Sequence, residues 1–517
     1  MAIGATARTL SAPIAVALAP LAVVPGLIDF ANAPQAAYAE LAALLGFAAW
    51  LVFGRAAGRV RLLDAAILAL IGWAGLSLAW TPDLHNGIAI WLTWAAGGLC
   101  YFVVSRSGVN IAPGIFGAGV VVALVGLAQA WGGLDWPPRA QYLGSTLANP
   151  NMAAQVIVLA LPFAFCLRPA LAIGGIALML CYLIEAQSRA AWLAVGVEGL
   201  VLILWVALPA VRIVVLGALL GLALTVADAP IAVPADEPGG QRLAIWANTG
   251  AMIAERPVVG AGLGGWASSY PLHVNAVLPD PVYGLKTMPE RAHNDYLQLT
   301  AELGAVGVAL LGLVVFAVLR IRPATNIIVL ALIGIGVCAL FSFPAYRALP
   351  PVLLGLALGM LSPRSDGEPA RGPRLAGAAG IVIGAIALAG YHVTALASDV
   401  HSRAASNAMH AKLWPSAGMA AMDAWRLSPL DGRALAKAGA AYLMMRDYEA
   451  AAAALEGALV LRPNQPHATS DLAVAYAKLG RLDDAAAVIE RARRLMPNVP
   501  ELRANAITIA RMREGGQ

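Results

Sequence analysis

The sequence predicts an all-α membrane protein: a bundle of about 12–13 spanning helices, a large loop on one side, and a C-terminal helical solenoid. Three observations carry this. Hydrophobic residues make up 60% of the chain and charged residues only 12%, which excludes an ordinary soluble domain. Apolar segments of about 20 residues, the length that crosses a bilayer core, recur from the N-terminus to roughly residue 397. From 400 to 512 the composition changes and a period of 34 residues sets in.

In chain order, spans are expected near 12–30, 36–54, 63–80, 87–105, 111–132, 152–167, 170–186, 190–207 and 210–228. A polar stretch at 229–301 interrupts them, and further spans follow near 302–319, 325–343, 349–362 and 375–397. The first is too long for a signal peptide and lacks a small-residue cleavage site, so it reads as a retained span. Residues 1–365 form the membrane domain, 366–399 a linker and the last span, and 400–517 the repeat domain. With the N-terminus inside, Arg55, Arg59, Arg61, Arg106, Arg168, Arg212, Arg320, Arg322, Arg364, Arg371 and Arg374 all fall inside, as positive-inside sorting requires. Arg189, Arg242, Arg256, Arg291 and Arg347 break that rule and fall outside. A guanidinium held near a bilayer is costly, so it needs a partner or a task. The four cysteines lie in apolar segments without paired spacing, which points to neither a disulfide framework nor zinc.

The outer stretch is too long for a plain connection. Within it, Arg242 to Glu255 reads as an interfacial amphipathic helix with Leu243, Trp246, Gly250 and Ile253 on one face, stopped by Pro257. Gly260-Ala261-Gly262-Leu263-Gly264-Gly265 matches G-x-G-x-x-G, but a helix, not a strand, precedes it, so a dinucleotide fold is rejected. A tight turn of backbone amides facing a phosphate is the expectation instead.

Polar chemistry concentrates at Arg291 to Gly307, where Arg291, His293, Asn294 and Asp295 run directly into a membrane helix. Gln187-Ser188-Arg189 at the outer end of the eighth span, Arg242 with Trp246, and Gly144 with Asn149, Pro150 and Asn151 point to the same face. Several guanidiniums with one imidazole suit a diphosphate ester under attack. Guanidinium forks bind phosphate oxygens and stabilise charge on a leaving diphosphate. A neutral histidine can take a proton from a nucleophilic hydroxyl. His273 in the same loop is the rival base, and His85 reads as surface. Glu302 either caps the tenth helix or orients His293 or Arg291. No D-x-D, H-E-x-x-H, G-x-S-x-G or P-loop pattern occurs, so metal, serine-hydrolase and nucleotide chemistry lack ligands or nucleophile.

The pattern His293-Asn294-x-x-Leu297-x-x-x-x-Glu302-x-Gly304-x-x-Gly307 resembles the signature of the O-antigen ligase superfamily. Ser188-Arg189-Ala190, Gly144 to Asn151 and Arg242 to Gly262 are similar to its other motifs, and the likeness covers roughly residues 10–365. The resemblance implies a GT-C-like, metal-independent, inverting glycosyltransferase of the bacterial inner membrane that needs no cofactor. Its donor would be an undecaprenyl-diphosphate-linked glycan on the periplasmic side, and its acceptor a lipid or glycan hydroxyl. His293 would be the base, with Arg189 and Arg242 on the diphosphate. Arg291, Asn294, Asn149, Asn151, Trp246, Arg256 and Glu302 are the expected substrate-binding set. The repeats, marked by Ala424-x-x-Leu427-x-Pro429, Ala458-x-x-Leu461-x-Pro463 and Ala492-x-x-Leu495-x-Pro497, resemble tetratricopeptide repeats. Their concave face would take a protein or glycan partner. Membrane lipids surround the bundle, and no nucleic acid is implied.

Ligation to lipid A–core and extension of a polysaccharide share one donor, and these motifs do not separate them. A polyprenyl-glycan transporter would also use spans and arginines, but would show internal repeats and broken helices, neither of which is legible. A scaffold carried by the repeats is the third reading.

Overall fold

The computed structural model describes residues 11–53, 61–138, 142–206, 238–274, 288–321, 327–361, 374–496 and 499–515. Among them there is no β-strand. The membrane domain comprises α1 (Ser11–Leu21), α2 (Asn32–Phe53), α3 (Leu62–Leu76), α4 (Leu84–Ser107), α5 (Ala112–Gly132), α6 (Pro150–Ala160), α7 (Pro169–Ala186) and α8 (Arg189–Val206). After the loop helix α9 (Pro238–Glu255) come α10 (Asp295–Arg320), α11 (Ile327–Ala339) and α12 (Leu349–Met360). The expected span at 210–228 lies outside the described residues.

Among the described residues, seven helical stretches are long and apolar enough to cross a membrane, and four more are apolar but shorter. The shorter ones have a physical reason. In α6, Ala153, Ala154 and Val156 to Ala160 are fully buried, so this helix is covered by protein rather than lipid. It sits against α5, α7, α8, α11 and α12 at the centre of the bundle. Small residues set other crossings: a side chain at Gly355 of α12 would run into the Gly97 backbone of α4.

Charge inside the bundle is paired. Asp64, at the start of α3, takes both terminal nitrogens of Arg106 from the end of α4, at 2.5 and 3.1 Å, and the Tyr101 hydroxyl. This pins the end of the bundle opposite the α3–α4 turn. Glu40 of α2 accepts from Thr93 of α4 at 2.9 Å and meets His392 at 3.0 Å.

His392 belongs to α13 (Arg374–His410), one uninterrupted helix of 37 residues. The last span and the first helix of the repeat domain, expected as separate pieces on either side of residue 400, are therefore a single rod. It packs on α2 and on α14 (Trp414–Leu427). The solenoid continues through α15 (Gly432–Met444), α16 (Tyr448–Leu461), α17 (Pro466–Lys478), α18 (Leu482–Leu495) and α19 (Pro500–Gly515). Each repeat is a helical pair closed over small residues such as Ala438, Ala451, Ala473 and Ala492, all fully buried.

The repeats do not stand clear of the membrane domain. One apolar cluster joins Ile245, Met252, Trp266 and Tyr270 of the loop to Leu455, Leu472 and Tyr476 of the repeats. Arg462 pairs with Asp83 at 3.0 Å, and Asn464 donates to the Ser268 carbonyl at 3.1 Å. His85, expected at the surface, lies half-buried beneath this interface among Asp83, Asp431, Arg433 and Arg462.

Candidate active site

The site is built on a break in α10. The sequence placed this helix near 302; it begins at Asp295, with Asn294 as its cap, its side-chain oxygen accepting from the Leu297 amide at 3.0 Å. Nine residues on, Gly304 has φ 64° and ψ −167°, a conformation open essentially to glycine alone. The helix stops and restarts there, and a segment from the long loop fills the gap. Ala261 and Gly262 donate to the carbonyls of Ala301 and Glu302 at 2.9 and 2.8 Å. Ala305 and Val306 donate to those of Pro257 and Val258 at 2.8 and 3.3 Å. The Trp73 indole takes the Leu303 carbonyl at 3.0 Å. Backbone groups freed by the break thus find partners.

This arrangement corrects two expectations. The glycine turn at 260–265 does not offer its amides to a phosphate. Every amide from Gly260 to Trp266 has an acceptor in the chain: Arg256, Ala301 and Glu302 carbonyls, Ser77 Oγ, Glu302 Oε2, the Gly262 carbonyl, and Glu302 Oε1 in turn. A broken helix, the feature whose absence argued against a transporter, is present. However, its freed carbonyls are occupied by protein donors rather than turned toward an ion path.

Glu302 is the hub. It is fully buried, two turns inside α10 rather than at its start, and accepts from Gly264 N (2.9 Å), Trp266 N (3.3 Å), Gln298 Nε2 (3.2 Å) and the Tyr346 hydroxyl (3.0 Å). Four donors from this chain surround it, so it holds the glycine turn against the motif helix and does not reach a substrate. Tyr346 in turn lies under Arg291, whose guanidinium is 4.9 Å from the ring centre. Arg291 Nη2 also donates to Asn86 at 3.4 Å, and Asn86 donates to the Gly264 carbonyl at 2.8 Å.

His293 stands at the mouth of this assembly with φ 54°, a left-handed conformation that histidine tolerates better than most residues. Its neighbour Ala292 is held on both sides: its carbonyl by the Trp246 indole (2.9 Å) and its amide by Gln298 Oε1 (3.0 Å). The imidazole meets the Phe343 ring edge-on at 5.2 Å. Burial, helped by the charges of Arg242 and Arg291, lowers its pKa from 6.5 to about 4. At neutral pH the ring is uncharged and able to accept a proton. Arg291 also acts on the buried carboxyls of Asp295 and Glu302, whose negative forms its charge favours. The two guanidiniums thus lie close enough to the imidazole for their charges to act on it.

The other expected residues separate. Trp246 is a strut for His293. Asn149 caps α6, its side chain accepting from the amides of Asn151 (2.9 Å) and Met152 (3.4 Å), and Asn151 is exposed on the same turn. Arg256 is exposed beside Glu255, 3.8 Å away. The rival base His273 has both ring nitrogens engaged, by Glu255 at 2.6 Å and the Ser269 carbonyl at 3.0 Å. Arg189 is exposed at the head of α8, outside the contacts that join His293, Arg242 and Arg291. The amphipathic helix α9 buries Ile245, Asn248, Thr249 and Met252 rather than the Leu243–Gly250 face. Two of these are polar and bond to the Tyr270 hydroxyl and the Trp266 indole, so the side of α9 that faces the protein is not the one that hydropathy marks. Sequence reasoning also passed over Phe343 and Tyr346, whose signal is only their place in the short turn between two apolar helices.

A family model described as O-antigen ligase matches residues 174–312, a stretch that contains Arg189, Arg242, Arg291, His293 and Glu302. A tetratricopeptide-repeat model matches residues 442–505. The chain is O-antigen ligase-like, with C-terminal tetratricopeptide repeats. No curated protein matches it. Among solved structures, the Arabidopsis OM64 TPR domain is similar at 21% identity and TM-score 0.22, covering 22% of this chain and 96% of that one. The ligase-like match runs from α7 into the broken helix and takes in the central site residues, while Trp73, Ser77, Asn86, Phe343 and Tyr346 lie outside it.

Proposed function

We propose that this chain is a glycosyltransferase of the O-antigen ligase type, moving a glycan from undecaprenyl diphosphate to an acceptor hydroxyl. The observation that carries this is the neutral His293 imidazole within the electrostatic reach of the Arg242 and Arg291 guanidiniums, set at the end of a membrane helix. In the reaction, the diphosphate of the donor lies against Arg242 and Arg291, with Arg189 reaching it from the head of α8. His293 accepts the proton of the acceptor hydroxyl, and that oxygen attacks the anomeric carbon from the face opposite the diphosphate. The new C–O bond forms as the bond to the diphosphate breaks, inverting the anomeric centre, and the arginines stabilise the departing charge. No step requires a metal. Glu302, Trp246 and Asn294 act through the backbone that presents His293. The arginines at the far helix ends, Arg61, Arg106, Arg168 and Arg320, support a cytoplasmic far face and a periplasmic site in a bacterial inner membrane.

A polysaccharide polymerase using the same donor is the second reading. The repeats packed directly on the loop that carries the site favour it, because they would gather other components of an assembly line at the point of reaction.

The deciding experiment is transfer by purified protein in detergent with EDTA present, from an undecaprenyl-diphosphate-linked oligosaccharide. Two acceptors are offered: lipid A–core and a second copy of the donor. Product on lipid A–core makes it a ligase, and a ladder on the lipid carrier makes it a polymerase. His293→Ala should abolish either product while the protein stays folded; retained turnover would remove His293 as the base.

A further inference from the structure

The short connection between α3 and α4 lies between the site and the repeats. On one side it grips the glycine turn: the Thr81 hydroxyl donates to the Leu263 carbonyl at 2.9 Å, and Asn86 Nδ2 to the Gly264 carbonyl at 2.8 Å. A side chain at Gly264 would strike the Gly87 backbone, so the two chains are in direct contact. On the other side it receives the turn between α16 and α17 of the repeats. Arg462 Nε pairs with Asp83 Oδ2 at 3.0 Å, and Asn464 donates to the Ser268 carbonyl, just beyond the glycine turn, at 3.1 Å. The side chains of Arg462 and Asp83 are only 16% and 7% exposed, so removing one strands the other away from water.

Asp83 divides its oxygens. Oδ2 takes Arg462, while Oδ1 accepts from the Asn86 amide at 3.1 Å and caps α4. Asn86, on that first turn, meets Arg291, whose Nη2 donates to its Oδ1 at 3.4 Å. The Tyr346 ring supports the same guanidinium at 4.9 Å, but a flat ring face sets its height and not its direction, so Asn86 supplies the bearing. At 3.4 Å that contact is long, and a small shift of the first turn of α4 would break it. We propose that Arg462 is a positioning residue for Arg291: its ion pair fixes Asp83, Asp83 fixes the first turn of α4, and Asn86 on that turn aims the guanidinium. The site is complete only with the repeats docked. That Arg291 serves a diphosphate rests on the function proposed above; that its placement depends on Arg462 does not.

The test uses the full chain in detergent and phenylglyoxal, which modifies accessible guanidiniums, with the rate at Arg291 followed by mass spectrometry. Arg462→Gln should speed modification of Arg291 by at least about threefold, the lower part of the range for residues coupled in one hydrogen-bonded chain. Asp83→Asn keeps a capping oxygen but takes the charge from Arg462, and should do the same. Asn86→Ala should have an effect as large, and adding Arg462→Gln to it should change nothing further, because the two act in series. Arg493→Gln, at an exposed pair with Glu490 elsewhere on the repeats, should leave Arg291 as in the parent. Arg256, exposed beside Glu255, should react alike throughout. Thermal unfolding checks that each variant is folded; if Arg462→Gln is not, Asp83→Asn decides. Glycan transfer should fall in the same variants and in the same non-additive way. A parent without transfer would count against the function proposed above and leave the Arg291 rates to decide this one. Unchanged rates at Arg291 in folded Arg462→Gln or Asp83→Asn, effects that multiply in the double variant, or an equal gain in Arg493→Gln would overturn the proposal.

Discussion

Replacing Gly304 with alanine tests the break in α10, on which the site depends. A side chain at this position would be driven into the Val258 carbonyl, and the backbone angles are closed to alanine in any case. Holding alanine there strains the backbone by about 1–3 kcal/mol. Relaxing toward a regular helix instead expels residues 257–262, with loss of four interstrand-like hydrogen bonds at about 0.5–1.5 kcal/mol each. The first route costs about 1–3 kcal/mol and the second about 2–6 kcal/mol, and the cheaper of the two sets the loss. Gly312 lies in the same helix with open space where a side chain would go. Gly312→Ala should therefore be neutral or stabilising by up to about 1 kcal/mol. Thermal unfolding of the two variants in one detergent should separate them clearly, with Gly304→Ala lower than the parent and also poor in glycan transfer. Equal melting temperatures would refute the break and the docking built on it.

The pKa of His293 gives a second expectation. Its folded value of about 4 lies below the ordinary 6.5, so the folded chain binds fewer protons than the unfolded one. Its contribution to stability is intact above pH 6.5 and is lost as pH falls toward 4; His293→Gln should flatten that part of the stability–pH curve. For the same reason kcat/KM of the free enzyme should hold well below pH 6.5, and an acid limb centred near 6.5 would contradict the assignment. Arg242→Gln and Arg291→Gln should each cost about 10²-fold or more in transfer, of the order seen for lost transition-state donors, whereas Arg256→Gln should cost little. Glu302→Gln, which sets an amide NH2 where an oxygen accepts two of the four bonds, should lower both the melting temperature and transfer, by about 2–4 kcal/mol of stability. Reversing Arg462 to glutamate should loosen the repeats from the site loop, and Asp83→Arg in the same chain should restore docking, as read by limited proteolysis between α13 and α14.

Much of this was legible in the residues because each feature has a local cause. Hydropathy located the long apolar helices α2 to α5, α7, α10 and α13, since a span needs about 20 apolar residues wherever it packs. The 34-residue period found the solenoid, since each repeat must bury the same small residues. Arg242, Arg291 and His293 stood out as charge and imidazole at a membrane lip, and the structure joins them. What escaped depends on long-range pairing. Asn149 and Asn294 were read as ligands of substrate, yet a side-chain amide before a helix is first of all a cap. Glu302 reads in the sequence as a cap of the tenth helix or an orienter of His293 or Arg291; only the fold shows that donors to it come from residues nearly 40 positions earlier and 44 later. The glycine turn suggested a phosphate cradle because no periodicity reveals that a distant helix is broken to receive it.

The continuity of α13 bears on how such a machine meets its partners. At about 1.5 Å per residue the helix is about 55 Å long, against a hydrocarbon core of about 30 Å. Roughly half of the rod therefore stands outside the lipid and is already part of the solenoid. A flexible leash would let the repeats sweep a volume and capture partners at many bearings, with an encounter rate set by its length. A mast fixed to α2 and α4 through Glu40 and His392 allows one bearing and one height. Anything bound to the repeats would be presented at a set distance from the bilayer, so the length of the rod would select by reach as well as by surface.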